Sequence, residues 1–502
     1  MRPHNPASAL ERALLLLAVV FIAALFLPRV LTQGMFGDGL LYASMARNLA
    51  EGKGSYWAPF FSSGYWVPGL PVFYQENPPL MLWIQSLFFH ALGDHWWVEK
   101  LYSALLLALN CLLLCRIWEI PLRGTAHRER HTWLPLLLFY LIPTVIWGAP
   151  NNLMDTTMLA FCLLAVHSAT RAVFFQNKTT LWLMLTGLFV FLGLLTKGPV
   201  ALYPVAAPFL FAVALPDRNR WLGLGQSVFA GGVVLLAFAT LLALVPPARE
   251  FFQNYWEQRL SVALAGGRED GLHTGWGRLN ALKILLMELL PMFIVSVLFW
   301  ATARRQKPDA VERAEHWRTA LFFALLGFAG TLPLLASTRQ TAMYLTASLP
   351  MFALAAGYFH LPVLRRVFDL PQAKKSAAAK RVRQFAVAAL AALAFFLVTI
   401  AGKPGREKAL LRDVEALRKI IPEGSLIGAC EALAGNFYVH TYLQRFLHVE
   451  ISRDIGPSRY FATNPACEPV LYRELEQAGF KETIFEGETL AIRQKQREGK
   501  NE

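Results

Sequence analysis

Eleven apolar runs, each near the roughly 20 residues that a helix needs to cross a bilayer, decide what this 502-residue chain can fold into. They fall near residues 11–31, 99–118, 133–150, 152–174, 180–197, 198–215, 223–246, 280–302, 317–336, 341–359 and 382–401. Composition agrees: 55% of the residues are hydrophobic and 16% charged, against roughly 25% charged in soluble domains. A formal charge of +14 would otherwise point to nucleic acid. The cations instead sit in short loops between apolar runs, so the expected partner is the lipid bilayer and no nucleic acid is expected. The first run, Leu14 to Pro28, follows Arg2 and Arg12 but lacks a small-residue cleavage pattern, and reads as an uncleaved span.

Every second loop is rich in arginine and lysine: Arg116, Arg123, Arg128 and Arg130; Arg171 and Lys178; Arg218 and Arg220; Arg304, Arg305, Lys307, Arg313 and Arg318; and the cluster from Arg365 to Arg383. Such loops stay on the cytoplasmic side, which places the amino terminus there and, after an odd number of spans, the carboxyl-terminal segment outside. Two long loops then lie on the outer face, residues 32–98 and 247–279. Within the first, "LLYASMARNLAEG" and "PLMLWIQSLFFHALG" are too short to span comfortably and suit helices lying in the interface, with re-entrant or core helices as the alternative.

From residue 402 the composition turns soluble. "SLIGAC", "FLHVEIS", "RYFATN", "ETIFEG" and "TLAIRQ" read as short strands, and "EKALLRDVEALRKII" and "PVLYRELEQAG" as amphipathic helices. The expected architecture is thus a mainly α polytopic domain over residues 1–401 and a small α/β domain over residues 402–502. Cys111, Cys115 and Cys162 fall in spans as apolar fillers. Cys430 and Cys467 fall in the outer segment, where a disulfide between them could persist.

Ionisable residues at the ends of spans are costly and tend to be functional. On the outer face they are Asp38 in "GDG", Glu76 in "YQENPPLMLW", Asp155 in "NNLMD", Lys197 in "LLTKGPV", Arg259 and His273 in the second long loop, and Arg339 in "STRQTAMYL". Bland readings exist for each: Asp38 and Asp155 as helix caps, Lys197 and Arg339 snorkelling to headgroups, His273 as a surface histidine. Their joint placement says more. Cations would stabilise a bound or departing phosphate, and a carboxylate could accept a proton from an attacking hydroxyl. That combination suits a lipid-borne phosphosugar, a substrate available where nucleotide sugars are not. Gly37 and Gly39 would leave the backbone beside Asp38 free to turn sharply and let a headgroup approach.

The stretches "GDGLLYASMARNLAEG", "ENPPLMLW", "NNLMDTTML" and "LLTKGPV", in order over roughly residues 11–350, resemble the GT-C glycosyltransferases that use polyprenyl-phosphate sugars. The similarity is to the lipid A aminoarabinose transferase (ArnT-like) and protein O-mannosyltransferase group. It implies an acid at the active site in the first outer loop, matched by Asp38, a second acid at the fourth span, matched by Asp155, and phosphate binding by Lys197. Where aminoarabinose transferases usually carry a lysine before the paired prolines, this chain has Asn77, so one cation is missing. A basic residue before Y-x-x-x-x-P is met loosely by Arg339, Tyr344 and Pro350. Some relatives hold a divalent metal between residues at the places of Glu76 and His273, but two ligands are too few to infer a metal. No other cofactor is implied.

The expectation is a bacterial inner-membrane glycosyltransferase that moves a sugar from an undecaprenyl-phosphate-type donor to a lipid, glycan or protein acceptor on the periplasmic face. Asp38 and Asp155 are the candidate catalytic residues, and Lys197, Arg259 and Arg339 the phosphate site. Glu76 and His273 bind substrate or metal, and Tyr42, Asn77 and Tyr344 line the cleft. The alternative is a transporter or flippase of lipid-linked sugars. Internal repeats and midplane sites would mark a transporter, whereas here no repeat is evident and the charges gather at one face. A third reading is a non-catalytic scaffold.

Overall fold

The computed structural model describes residues 8–62, 73–123, 130–175, 177–265, 276–303, 310–369, 371–456 and 458–496. The chain opens with α1, Ala9–Val30, whose start is set by Ser8: its hydroxyl accepts from the Glu11 amide at 3.2 Å. Then come α2 (Gly37–Ala50), a two-strand hairpin β1–β2 (Gly54–Ser55 and Ala58–Pro59), α3 (Leu80–Leu92) and α4 (Val98–Glu119). Next are α5 (Trp133–Phe139), α6 (Pro143–Gly148), α7 (Met154–Phe175), α8 (Thr179–Lys197), α9 (Ala207–Ala214) and α10 (Arg220–Leu244). The membrane part ends with α11 (Pro246–Tyr255), α12 (Ser261–Ala265), α13 (Asn280–Ala303), α14 (Ala310–Thr331), α15 (Leu349–Val367) and α16 (Gln372–Ile400).

Among the described residues, eight helices are long and apolar enough to cross a membrane, nine if α5 and α6 count as one broken span. The run expected at 133–150 is not straight: α5 and α6 meet at 85°. Pro143 offers no amide and forces Ile142 into an extended conformation (ψ 123°), which ends α5. Glu288 of α13 replaces the lost helical bonds, accepting from the Thr144 amide at 2.8 Å and the Thr144 hydroxyl at 2.7 Å. The run expected at 198–215 is a 3₁₀ segment, Pro199–Ala206, followed by the short α9. Pro199, Pro204 and Pro208 forbid a continuous α-helix there. The run expected at 341–359 becomes a 3₁₀ turn, Ala342–Leu345, and then α15, which Pro350 starts late.

The two interfacial helices divide. α3 keeps Trp83, Leu87 and Leu92 exposed, as an interfacial helix would. α2 instead is buried along most of its length, from Gly39 to Asn48, and is a core helix. What covers it is the carboxyl-terminal segment. There α17 (Lys408–Leu417), β3 (Leu426–Ala429), α18 (Glu431–Ala434), α19 (Phe437–Leu447), β4 (Glu450–Ser452), β5 (Tyr460–Thr463), α20 (Pro469–Gln477), β6 (Glu482–Glu486) and β7 (Ala491–Gln494) form a sheet with helices packed on it. The sheet order is β4-β3-β5-β7-β6, parallel through the first three strands and antiparallel at β7 and β6. A disulfide joins Cys430 to Cys467, with Cα atoms 5.8 Å apart.

α1 and α16 lie against each other, and their ends leave the bundle side by side. The Gln33 amide donates to the Lys403 carbonyl and the Gly405 amide to the Gln33 carbonyl, both at 2.9 Å. α19 then docks on α2 through two buried arginines. Arg445 donates to Glu99 at 3.1 and 2.8 Å and to Asp94 at 2.7 Å. In return Arg47 donates to the carbonyls of Gln444 and Arg445 at 3.0 and 3.3 Å. Burial alone would raise the Asp94 carboxyl, but the His448 hydrogen bond and the Arg445 and Arg47 guanidiniums hold it well below the usual carboxylate range.

Removing one member of such a group strands the others without water. Arg445→Met is therefore expected to destabilise the docked domain by about 3–5 kcal/mol, read as a lower unfolding midpoint in detergent and faster proteolysis near residues 402–407. An unchanged midpoint would show that the contact contributes nothing net.

Candidate active site

Asp38 stands in the first turn of α2, but Phe36 is the N-cap and no side-chain cap is made. The carboxylate is therefore not consumed in capping, and among the described residues it has no hydrogen-bond or ion-pair partner. The backbone around it is fixed by the "NN" of "NNLMD". The Phe36 amide donates to Asn151 Oδ1 at 3.2 Å. Asn152, held in the left-handed region at φ 52°, donates from Nδ2 to the Gly39 carbonyl at 2.9 Å and accepts from Gln85 Nε2 at 2.6 Å. The buried Gln85 is thus the polar interruption in α3 that faces the site.

The glycines flanking Asp38 have a different reason from the one expected. Neither has a positive φ; the turn is made by Gly34, at φ +80°. A Cβ at position 37 would collide with the Phe437 ring, and one at position 39 with the Asn151 carbonyl. Glycine is required by close approach of neighbours on both sides.

Asp155, in the first turn of α7, pairs with Lys197, in the last turn of α8. Both are withdrawn from solvent, with side-chain exposures of 3% and 11%. Asp155 Oδ1 is buried without a hydrogen-bond partner. Lys197 Nζ also lies over the Tyr344 ring, 5.3 Å from its centre. Gly198 ends α8 at φ +83°, and a Cβ there would stand 2.5 Å from the Tyr255 hydroxyl, so "TKGP" is read as a helix stop with a tyrosine pressed on it.

Arg259 pairs with Glu76. It rides on a single π-helical turn, Trp256–Leu260, between α11 and α12, an irregularity often found at functional sites. Asn77 donates to the Tyr74 hydroxyl at 2.7 Å. Glu76, Asn77, Lys197, Arg259, Arg339 and Tyr344 all line one cavity of about 480 Å³. These three cations share its lining with many apolar side chains, including Val200, Leu202, Leu260, Leu264, Pro333 and Leu334. Asp38 does not line this cavity but is within electrostatic reach of its charged lining residues. Burial raises its pKa to about 6; Lys197 opposes the shift, Glu76 and Asp155 add to it, and Arg339 opposes it.

One expectation is placed differently. Tyr42 is buried among Phe61, Tyr74 and Met81, beneath Asp38, and does not line the cavity. His273 lies outside the described residues. Glu76 faces a guanidinium, and among the described residues no group of three or more His, Cys, Asp or Glu is assembled that could hold a metal. Tyr255, Asn151 and Asn152 were not singled out from the sequence. Tyr255 precedes Arg259 by four residues, one helical turn, and that spacing was the available signal.

A family model described as dolichyl-phosphate-mannose-protein mannosyltransferase matches residues 76–244, a stretch that holds Glu76, Asp155 and Lys197. No curated protein matches the chain in sequence. Among solved structures, ArnT from Cupriavidus metallidurans bound to undecaprenyl phosphate matches with a TM-score of 0.62 and 14% identity, over 97% of this chain and 98% of that one. The Archaeoglobus fulgidus oligosaccharyltransferase in complex with Zn and sulfate matches with a TM-score of 0.54 and 13% identity, over 90% of this chain and 67% of that one. These likenesses show the fold, a GT-C membrane domain with a small carboxyl-terminal sheet domain.

The raised pKa of Asp38 is also a statement about stability. Its folded value, about 6, lies above the unfolded 3.8. The contribution that favours folding is therefore complete below about pH 3.8 and is lost as pH rises through about 6. Asp38→Asn, always neutral, is expected to unfold at a higher temperature than wild type at pH 7.5 and at nearly the same temperature at pH 4. A lower midpoint at pH 7.5 would contradict the placement of this carboxylate.

Proposed function

We propose that this chain is an integral-membrane glycosyltransferase that takes a sugar from a polyprenyl-phosphate donor and transfers it to a lipid, glycan or protein acceptor at the membrane face bearing Asp38. One observation carries the reading: a cavity lined by Lys197, Arg259 and Arg339 together with many apolar side chains, within electrostatic reach of the Asp38 carboxylate. A phosphate on a long hydrocarbon tail fits such a cavity. The relatives support it, since one is bound to undecaprenyl phosphate and the family match is described by a dolichyl phosphate sugar. The loop charges support a bacterial inner-membrane placement with this face periplasmic, residues 1–401 as the transferase domain and residues 402–502 as an outer domain.

In the proposed reaction an acceptor oxygen attacks the anomeric carbon from the side opposite the phosphate, with inversion. The bond from that carbon to the phosphate oxygen breaks, and its electron pair stays on the polyprenyl phosphate. Lys197 and Arg259 stabilise the charge that develops there, in a site largely screened from water. Asp38 accepts the acceptor's proton; its raised pKa makes it a stronger base than a solvated carboxylate. Asp155 holds Lys197 in place in the lining of the cavity.

Asp38→Asn is expected to abolish transfer while leaving undecaprenyl-phosphate binding intact; wild-type turnover in this variant would sink the assignment. For the wild-type enzyme kcat/KM should fall tenfold per pH unit below about 6, the value at which Asp38 becomes protonated. Arg259→Gln should weaken undecaprenyl-phosphate binding roughly tenfold to a hundredfold, the usual range for a charge-assisted hydrogen bond. Unaltered binding would remove Arg259 from the phosphate site.

A further inference from the structure

We propose that α19 is a working part of the catalytic face, with Phe437 as the positioning residue that sets the backbone under Asp38. The inference rests on the transferase reading for its functional meaning, and on contacts alone for its geometry.

Residues 34–39 are clasped from the carboxyl-terminal side at successive positions. Gly34, at φ +80°, sits where a Cβ would come within 2.7 Å of the Arg406 carbonyl and 2.8 Å of the Tyr442 hydroxyl. That hydroxyl donates to the Met35 carbonyl at 3.1 Å. The Phe36 ring is held edge-on by Trp147 at 4.9 Å and Tyr438 at 6.2 Å, and the Arg406 guanidinium lies 5.5 Å from the centre of both the Phe36 and Tyr438 rings. At Gly37 the Phe437 ring lies directly on the backbone and leaves no room for a side chain. Asp38 follows at once and, among the described residues, makes no hydrogen bond or ion pair with α19. The ring therefore acts through the Gly37 backbone and by closing off water, and on the opposite side the Asn151 carbonyl presses Gly39.

Asn436 makes this placement firm. It caps α19, its side chain accepting from the Tyr438 and Val439 amides at 3.0 and 3.3 Å, so Phe437 begins a well-anchored helix. Further along, Gln444 donates to the Phe61 carbonyl at 2.6 Å and Arg445 to Glu99 and Asp94. A helix fastened at several points has little freedom to let its first side chain drift, and a small displacement of a reacting group can cost about a hundredfold in rate.

The test uses the full-length protein in detergent and reads Asp38 without needing turnover. Dicyclohexylcarbodiimide modifies protonated, shielded carboxyls, and the labelling of Asp38 can be followed by mass spectrometry across pH. Wild type, Gly37→Ala, Phe437→Ala and the double variant are compared. None of them alters the charged groups that face Asp38, which are Lys197, Glu76, Asp155 and Arg339. Phe437→Ala is expected to admit water and move the labelling midpoint down by about one pH unit, a roughly tenfold slower labelling at pH 7. Gly37→Ala should also move it, because the new methyl meets the ring. In the double variant the methyl has room, so the midpoint should match that of Phe437→Ala alone, and the two effects should not add. If Phe437→Ala does not fold, Phe437→Leu takes its place.

Equal midpoints in all forms, or additive shifts, would overturn the proposal. Shifted midpoints in a protein that transfers no sugar from any polyprenyl phosphate would overturn the transferase reading and leave the positioning of Asp38 standing. A competent transferase with unmoved midpoints would do the reverse.

Discussion

The face that carries Asp38 depends on one asparagine in an unfavourable backbone conformation. Asn152, at φ 52°, breaks the path between α6 and α7 and turns its side chain to Gly39 on one side and Gln85 on the other. Left-handed backbone at a non-glycine residue is uncommon, and asparagine tolerates it better than most. The strain is offset by two buried hydrogen bonds that tie α2, α3 and α7 together. Because α7 starts two residues later with Asp155 in its first turn, the same turn that holds Asp38 also aims the second acid at Lys197. The two carboxylates are therefore placed relative to one another by backbone geometry and not by direct contact.

That arrangement keeps several charges where water is scarce. Asp155 and Lys197 neutralise each other and Glu76 and Arg259 do the same, whereas Asp38 has no hydrogen-bond or ion-pair partner among the described residues. A partly buried carboxylate so placed is unfavourable for folding at neutral pH. It persists because the surrounding fold over-determines it, which is the usual mark of a residue kept for chemistry.

Much of this was legible in the sequence because membranes simplify the problem. Long apolar runs must be helical, and arginine-rich loops sort the two faces, so Asp38, Glu76, Asp155, Lys197, Arg259 and Arg339 could be assigned to one side before any contact was known. Less legible were features set by neighbours distant in the chain. "LLYASMARNLAEG" has the pattern of a surface helix, yet α19 covers it, and nothing local records that partner. Tyr42 looked accessible for the same reason. Gly37 and Gly39 looked like turn residues, because a glycine needed for close approach carries the same letter as one needed for positive φ. Proline did signal the broken segments at 143 and 199, but a hydropathy run outweighs a single proline when only length is counted. Arg445 gave no sign of its two acidic partners, which lie some 350 positions earlier.

The side-by-side exit of α1 and α16 has a consequence for biogenesis. Residues 31–33 form their backbone pairs with residues 402–405, and residues 34–37 are seated by residues from 406 to 442. A chain made from its amino terminus onward exposes Asp38 early, yet cannot fix it until nearly everything else has been synthesised and inserted. Closing a loop of that length is entropically unfavourable only logarithmically, so the long delay adds little to the final free energy. Its effect is on timing: a chain released short of residue 437 would lack the residues that seat the backbone of residues 34–37 next to Asp38, although the helices that carry Lys197, Arg259 and Arg339 were already made.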